Sequence, residues 1–166
     1  MSLKEQIRQQ RPFSSVEEET YLNLQRTANL LFQAGAQVIK SAAPGRRGLT
    51  PSQYNVLRIL RGASPDALTC GEVSERLVTP GPDVTRLLDR LEERSWVERD
   101  RDSGDRRVVR TRITREGLEL LASLDEPVSR WLMRDLGHLT AAEHRQLIRL
   151  LERAREGVEK AGSSSS

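Results

Sequence analysis

From Ser15 to about Lys40, apolar side chains return every three or four residues. Tyr21, Leu24, Ala28, Leu31, Gly35 and Val38 make one stripe, with Leu22, Leu30, Phe32 and Ile39 beside it. The spacing predicts a long helix that buries more than one side. Residues 1–15 are polar, contain Pro12, and read as an arm or a short helix. The run from Ala43 to Gly48 breaks the long helix with Pro44 and Gly45. Shorter helices then announce themselves through their caps. Thr50-Pro51-Ser52-Gln53 is a capping box with Pro at the first helical position, opening a helix through Tyr54, Leu57, Ile59 and Leu60 to about Gly62. Thr69-Cys70-Gly71-Glu72 is a second box, opening a short helix with Val73 and Leu77 on its apolar side. After Val78-Thr79-Pro80-Gly81-Pro82, Val84, Leu87, Leu88 and Leu91 mark a third helix ending near Arg94.

The period then changes from helical to alternating. Trp96–Arg99 is short and extended, and Val109, Thr111 and Ile113 alternate with Arg110 and Arg112. Between them, residues 100–107 form a charged turn with Gly104 near its tip, so the segment predicts a β-hairpin. Thr114 is placed to cap a helix carrying Leu118, Leu121, Ala122, Val128 and Leu132, with a kink at Pro127. Thr140-Ala141-Ala142-Glu143 opens a last helix with Leu147, Leu150, Leu151, Ala154 and Val158 on one face. Residues 161–166 read as a disordered, low-complexity tail.

Composition narrows the chemistry. The 166 residues are 36% hydrophobic and 31% charged, a balance expected of a water-soluble domain with a modest core. A single cysteine, Cys70, excludes an intramolecular disulfide and a multi-cysteine zinc site. The two histidines, His138 and His144, are not helical neighbours, and no metal-ligand spacing, Ser/His/Asp set or Gly-rich phosphate loop occurs. No enzyme, cofactor or metal is expected. Nor does any apolar run reach the ~18 residues of a membrane span. The expectation is a cytoplasmic protein without membrane contact.

Net charge is only +3. Its distribution says more. Residues 99–115 hold seven arginines against three aspartates, a local +4 on a hairpin expected to be exposed. Such a spike suits a phosphate backbone, where displaced counterions drive binding. The order helix, turn, helix, hairpin is that of a winged helix-turn-helix, whose second helix enters the DNA major groove. On that helix Asp83, Thr85, Arg86, Asp89 and Arg90 lie opposite the apolar stripe, and the turn before it holds Thr79 and Pro82. Arg86 can fork onto guanine or phosphate, Asp83 can accept from a cytosine amine, and Thr85 can touch a thymine methyl. The first-turn N–H groups can also attract a phosphate. A plain solvated face would show the same residues, and an ion-paired loop would show the same hairpin.

From Leu49 to Gly117 the chain resembles MarR-type winged-helix regulators. The matching stretches are LTPSQYNVLRIL (49–60), LTCGEVSERL (68–77), VTPGPDVTRLLDRLEERSWVER (78–99) and DSGDRRVVRTRITREG (102–117). The last holds the family's Asp-x-Arg wing signature as Asp105-Arg106-Arg107, then the exit from Thr114 to Gly117. The resemblance implies that Arg107 enters the minor groove with Asp105 steadying it, and that Thr85 and Arg86 face the major groove. Two departures stand out. Ser95-Trp96 replaces the common Gly and smaller apolar residue, and Pro82-Asp83 replaces a small polar pair before the reading helix.

The resemblance also implies a homodimer, and the flanking helices are too apolar for a small winged helix to cover. Leu124, Leu132, Leu136, Leu147, Leu151 and the 21–38 stripe are the residues expected to meet a twofold copy. The expected fold is mainly α with a small β-hairpin wing, a winged helix-turn-helix flanked by N- and C-terminal dimerisation helices. Its parts are residues 1–47 (arm and dimerisation helix), 48–115 (DNA-binding domain), 116–160 (C-terminal dimerisation helices) and the tail 161–166. The expected partners are double-stranded DNA, a second copy of the chain, and a small effector such as a phenol or aromatic acid that relieves repression. Candidate DNA-binding residues are Thr79, Pro82, Asp83, Thr85, Arg86, Arg90, Asp105, Arg106 and Arg107. Phe32, Tyr54, Arg58 and Trp131 are placed to line an effector cleft but are equally explained as core or surface. Two alternatives stay open: a thiol sensor through Cys70, which sits at a helix N-terminus, and a winged helix used only for protein contact.

Overall fold

The computed structural model describes residues 1–42, 48–79, 83–101 and 107–163. Among these described residues the elements follow in order: α1 (Leu3–Gln6), α2 (Val16–Ala42), α3 (Pro51–Ala63), β1 (Leu68–Thr69), α4 (Cys70–Glu75), α5 (Val84–Glu92), β2 (Val97–Arg101), β3 (Val109–Ile113), α6 (Arg115–Leu136) and α7 (Ala141–Ser163). The chain divides into two units, Met1–Val128 and Ser129–Ser166.

The helices start where their caps dictate. Thr50 Oγ1 accepts from Gln53 N at 3.2 Å while Gln53 Oε1 accepts from Thr50 N at 3.1 Å. Thr69 and Glu72 repeat the exchange at 3.2 and 2.7 Å, as do Thr140 and Glu143 at 3.3 and 2.7 Å. Each box satisfies donors that the helix itself leaves orphaned. Thr114 caps α6 by accepting from Gly117 N at 3.1 Å. A further box at Ser2 and Glu5 opens α1, so part of the arm is the short helix.

Within the first unit one core gathers Val56, Leu57 and Leu60 from α3, Val73 from α4, and Val84, Leu88 and Leu91 from α5. The sheet and α6 close it with Trp96, Val97, Ile113, Leu120, Leu121 and Leu124. The sheet has three antiparallel strands in the order β1-β3-β2. The two-strand hairpin is as expected, but the edge strand β1 (Leu68 opposite Thr111, Thr69 opposite Arg110) was not. Two residues carry no readable period, and only the nearby β3 edge makes them a strand. β3 is thereby central, and Thr111 is buried with Ile113, whereas Val109, farther along the hairpin, is exposed.

α6 carries Pro127 within it and extends to Leu136. Two further expectations change. Leu124 is fully buried in its own chain's core and needs no partner to cover it. α7 runs to Ser163, past the Ala161 at which the disordered tail was expected to begin. α2 gives Gly35 and Ile39 to burial, but Tyr21, Leu24, Leu30 and Phe32 remain exposed along its earlier turns.

Candidate nucleic-acid interface

α4 and α5 are the two helices of the helix-turn-helix, with Val84, Leu88 and Leu91 of α5 turned into the core. Thr85, Arg86 and Arg90 are exposed on the other side, and Thr79 is exposed in the turn. The amphipathic reading of this helix holds residue by residue. Pro82 lies outside the described residues.

Asp83 has a job the sequence did not suggest. Its Oδ1 accepts from Arg86 N at 3.1 Å, so it is the N-cap of α5. One carboxylate oxygen is therefore committed to the backbone, and one first-turn N–H expected to attract a phosphate is already satisfied. The next side chain, Thr85, has its Oγ1 3.6 Å from Cys70 Sγ. The half-buried thiol thus lies in the joint between the two helices.

The wing differs more from expectation. Arg99 Nη2 pairs with Asp89 Oδ1 at 2.8 Å, and its Nε faces Glu92 Oε2 at 3.5 Å. Arg110 reaches Glu72 at 3.8 Å and the Ala67 carbonyl at 3.5 Å. Arg112 lies between Glu98 (3.6 Å) and Asp100 (3.4 Å), and Arg115 pairs with Glu119 at 2.9 Å. Four of the seven arginines counted as a +4 spike thus face carboxylates of their own chain, and for three of them, Arg99, Arg110 and Arg115, those carboxylates come from helices outside the hairpin. A window sum over sequence cannot see acids that arrive from α4 and α5. Arg101 and Arg107 are exposed at the inner ends of the hairpin's two limbs. Asp105 and Arg106, and with them the expected Asp105–Arg107 pairing, lie outside the described residues.

The Glu72 carboxyl sits below its ordinary range, first because the Thr69 backbone N–H donates to it, then through the Thr69 hydroxyl, and less through Arg110 and Arg76. The junction behind the wing is tightly built. Ser95 takes a left-handed backbone with φ 58°, where the resemblance expects Gly. Its carbonyl accepts from Thr114 Oγ1 at 2.7 Å, and the Trp96 carbonyl accepts from Thr114 N at 3.1 Å. Arg94 stacks over the Trp96 ring, 5.0 Å from its centroid. Among the described residues, no cluster of His, Cys, Asp or Glu is arranged to hold a metal.

The geometry matches known proteins. A family model described as MarR family fits residues 47–108. A MarR transcription factor from Planctomyces limnophilus is 40% identical, with a TM-score of 0.63 over 85% of this chain and 98% of that one. The chain belongs to the MarR family. Among curated relatives, the transcriptional repressor MdtR of Bacillus subtilis is 32% identical over 58% of this chain and 68% of its own length. A mutant MarR from Escherichia coli, solved with operator DNA, is 26% identical, with a TM-score of 0.67 over 85% of this chain and 99% of its own. This MarR-family chain is accordingly a winged-helix, DNA-binding transcriptional regulator and not an enzyme. Among the described residues no helix is long and apolar enough to cross a membrane.

Proposed function

We propose that this MarR-family protein acts as a homodimeric repressor on a pseudo-palindromic operator, with residues 48–115 as the reading domain. α5 lies in the major groove, where Thr85, Arg86 and Arg90 meet base edges and phosphates. Thr79 and Pro82 approach the backbone at its start, and Asp83, the N-cap of α5, keeps its second carboxylate oxygen for a cytosine amine. The wing, through Asp105, Arg106 and Arg107, lies over the adjacent minor groove. The observation that carries this reading is the two-sided α5, with three apolar residues sealed into the core and two arginines one turn apart on the exposed side. Dimerisation through residues 1–47 and 116–160 is supported by large apolar side chains left exposed within each segment. They are Leu24, Leu30 and Phe32 on α2, Leu132 and Met133 on α6, and Leu147, Ile148 and Leu150 on α7. Two reading helices then stand about 34 Å apart, one turn of B-DNA.

Relief by a phenol or aromatic acid is the regulation that the resemblance implies. A groove of about 560 Å³ between α1 and α2, lined by Leu3, Ile7, Leu22 and Arg26 among others, combines apolar walls with a cation suited to a carboxylate. The test is selection of genomic fragments by the purified protein, with and without salicylate-like acids. Enrichment of a palindrome with half-sites one turn apart is expected. Its affinity falls steeply with salt, and the slope flattens in Arg107→Ala. Failure to retain any duplex at low salt overturns the assignment.

A further inference from the structure

Arg99 lies on the first wing strand, yet its guanidinium turns toward the reading helix. Its side chain is only 19% exposed, against 49% for Asp89 and 44% for Glu92. One nitrogen meets Asp89 at 2.8 Å and also reaches the Thr85 carbonyl at 3.4 Å, while Nε faces Glu92. That buried Nε has no hydrogen-bond partner among the described residues, so the Glu92 charge is what compensates it there. Three points of α5, spread over two turns, are thereby tied to one residue of β2.

We propose that Arg99 is a positioning residue for DNA recognition, clamping the reading helix and the wing into one rigid reading head. The inference rests on the DNA-reading assignment above. Apolar burial decides which side of α5 faces inward, but it is non-directional and resists rolling or sliding only weakly. A planar, forked cation between two fixed carboxylates is directional and sets the angle. The clamp has a second consequence. Asp89 and Glu92 are acids on the reading helix, and each repels phosphate unless neutralised. The single positive charge of Arg99 faces both and cancels one of their two charges, so it serves recognition without contributing a phosphate contact of its own.

The probes are a duplex enriched by the wild-type protein from a random-sequence pool and a scrambled duplex of equal length. Arg99→Met keeps the apolar stem, and Asp89→Asn/Glu92→Gln removes the clamp's other half while leaving Arg99 in place. Each is expected to lower the ratio of selected to scrambled affinity about tenfold, the coupling typical of residues in one charged network. Combined, they cost no more than either alone, and Arg99→Lys restores part of the ratio. A direct phosphate contact by Arg99 gives a different pattern and overturns the clamp: equal loss on both duplexes, persistence in the Asn/Gln background, and a salt slope reduced by about 1. Should Arg99→Met fail to fold, the Asn/Gln variant decides alone, because unchanged discrimination there overturns the proposal. A wild-type chain that enriches no duplex overturns the DNA-reading assignment itself. Wild-type enrichment with intact discrimination in the variants overturns only the clamp.

Discussion

Gly117, in the first turn of α6, is where a single methyl group should do the most damage. A Cβ built there stands 2.7 Å from Ile113 Cγ1 and closer still to the Trp96 carbonyl oxygen. Ordinary contact is about 3.5–4.0 Å, so one neighbour must retreat by roughly 1 Å. Ile113 has rotamers to offer, but the Trp96 carbonyl is backbone and already accepts from Thr114 N at 3.1 Å. Overpacking of this kind costs about 1–3 kcal/mol, and straining the Trp96–Thr114 bond adds up to about 1 kcal/mol. Against that, alanine gains roughly 0.5–1 kcal/mol over glycine inside a helix. The net expectation for Gly117→Ala is a loss of about 2 kcal/mol, or a Tm lower by about 4–8 °C for a chain of this size. The assay is thermal and urea unfolding at one fixed protein concentration, since any dimer couples stability to concentration. Gly62 in α3 supplies the control, because a Cβ there meets nothing within 4 Å. Gly62→Ala should be neutral or stabilising by up to about 1 kcal/mol. If Gly117→Ala matches or exceeds the wild type, the close approach of α6 to the wing junction is wrong.

Ser95→Gly should stabilise by about 0.5–1 kcal/mol, because glycine accepts the left-handed backbone without a Cβ penalty; an unchanged urea midpoint would contradict this. Leu124→Ala should cost about 2–5 kcal/mol by opening a cavity in the monomer's own core. Leu147→Ala, at a half-exposed position on α7, should instead weaken self-association, measured by sedimentation against concentration. The folded Glu72 carboxyl is depressed below its ordinary 4.5, chiefly by the Thr69 backbone N–H. Its contribution is therefore fully present above that value and lost as pH falls through the lower folded one. Urea midpoints between pH 7 and pH 3 should show this acid-side loss, and Glu72→Gln should remove Glu72's share of it.

The chain's local grammar was legible in advance. Thr50, Thr69, Thr114 and Thr140 each announced a helix start, because a cap and its partner lie three residues apart and need no tertiary help. The alternation of Thr111 and Ile113 with Arg110 and Arg112 announced the hairpin for the same reason. The one-sided apolar stripe of α5 already separated the residues that face the core from Thr85, Arg86 and Arg90. What only the folded chain decided is pairing across distance. Arg99 and Asp89 are strangers in a charge count until α5 and β2 pack together, and so are Arg110 and Glu72. The wing's apparent surplus of +4 was therefore largely spent inside the protein. Leu124 looked like a dimer residue because its stripe continues into Leu132, yet the same helix seals one core with its first turns and exposes apolar residues on its last. β1 has no pattern of its own and exists because β3 offers it an edge. Periodicity and capping are short-range and written along one element. Ion pairing, burial depth and strand addition depend on what a second element brings, and no window along the sequence contains that.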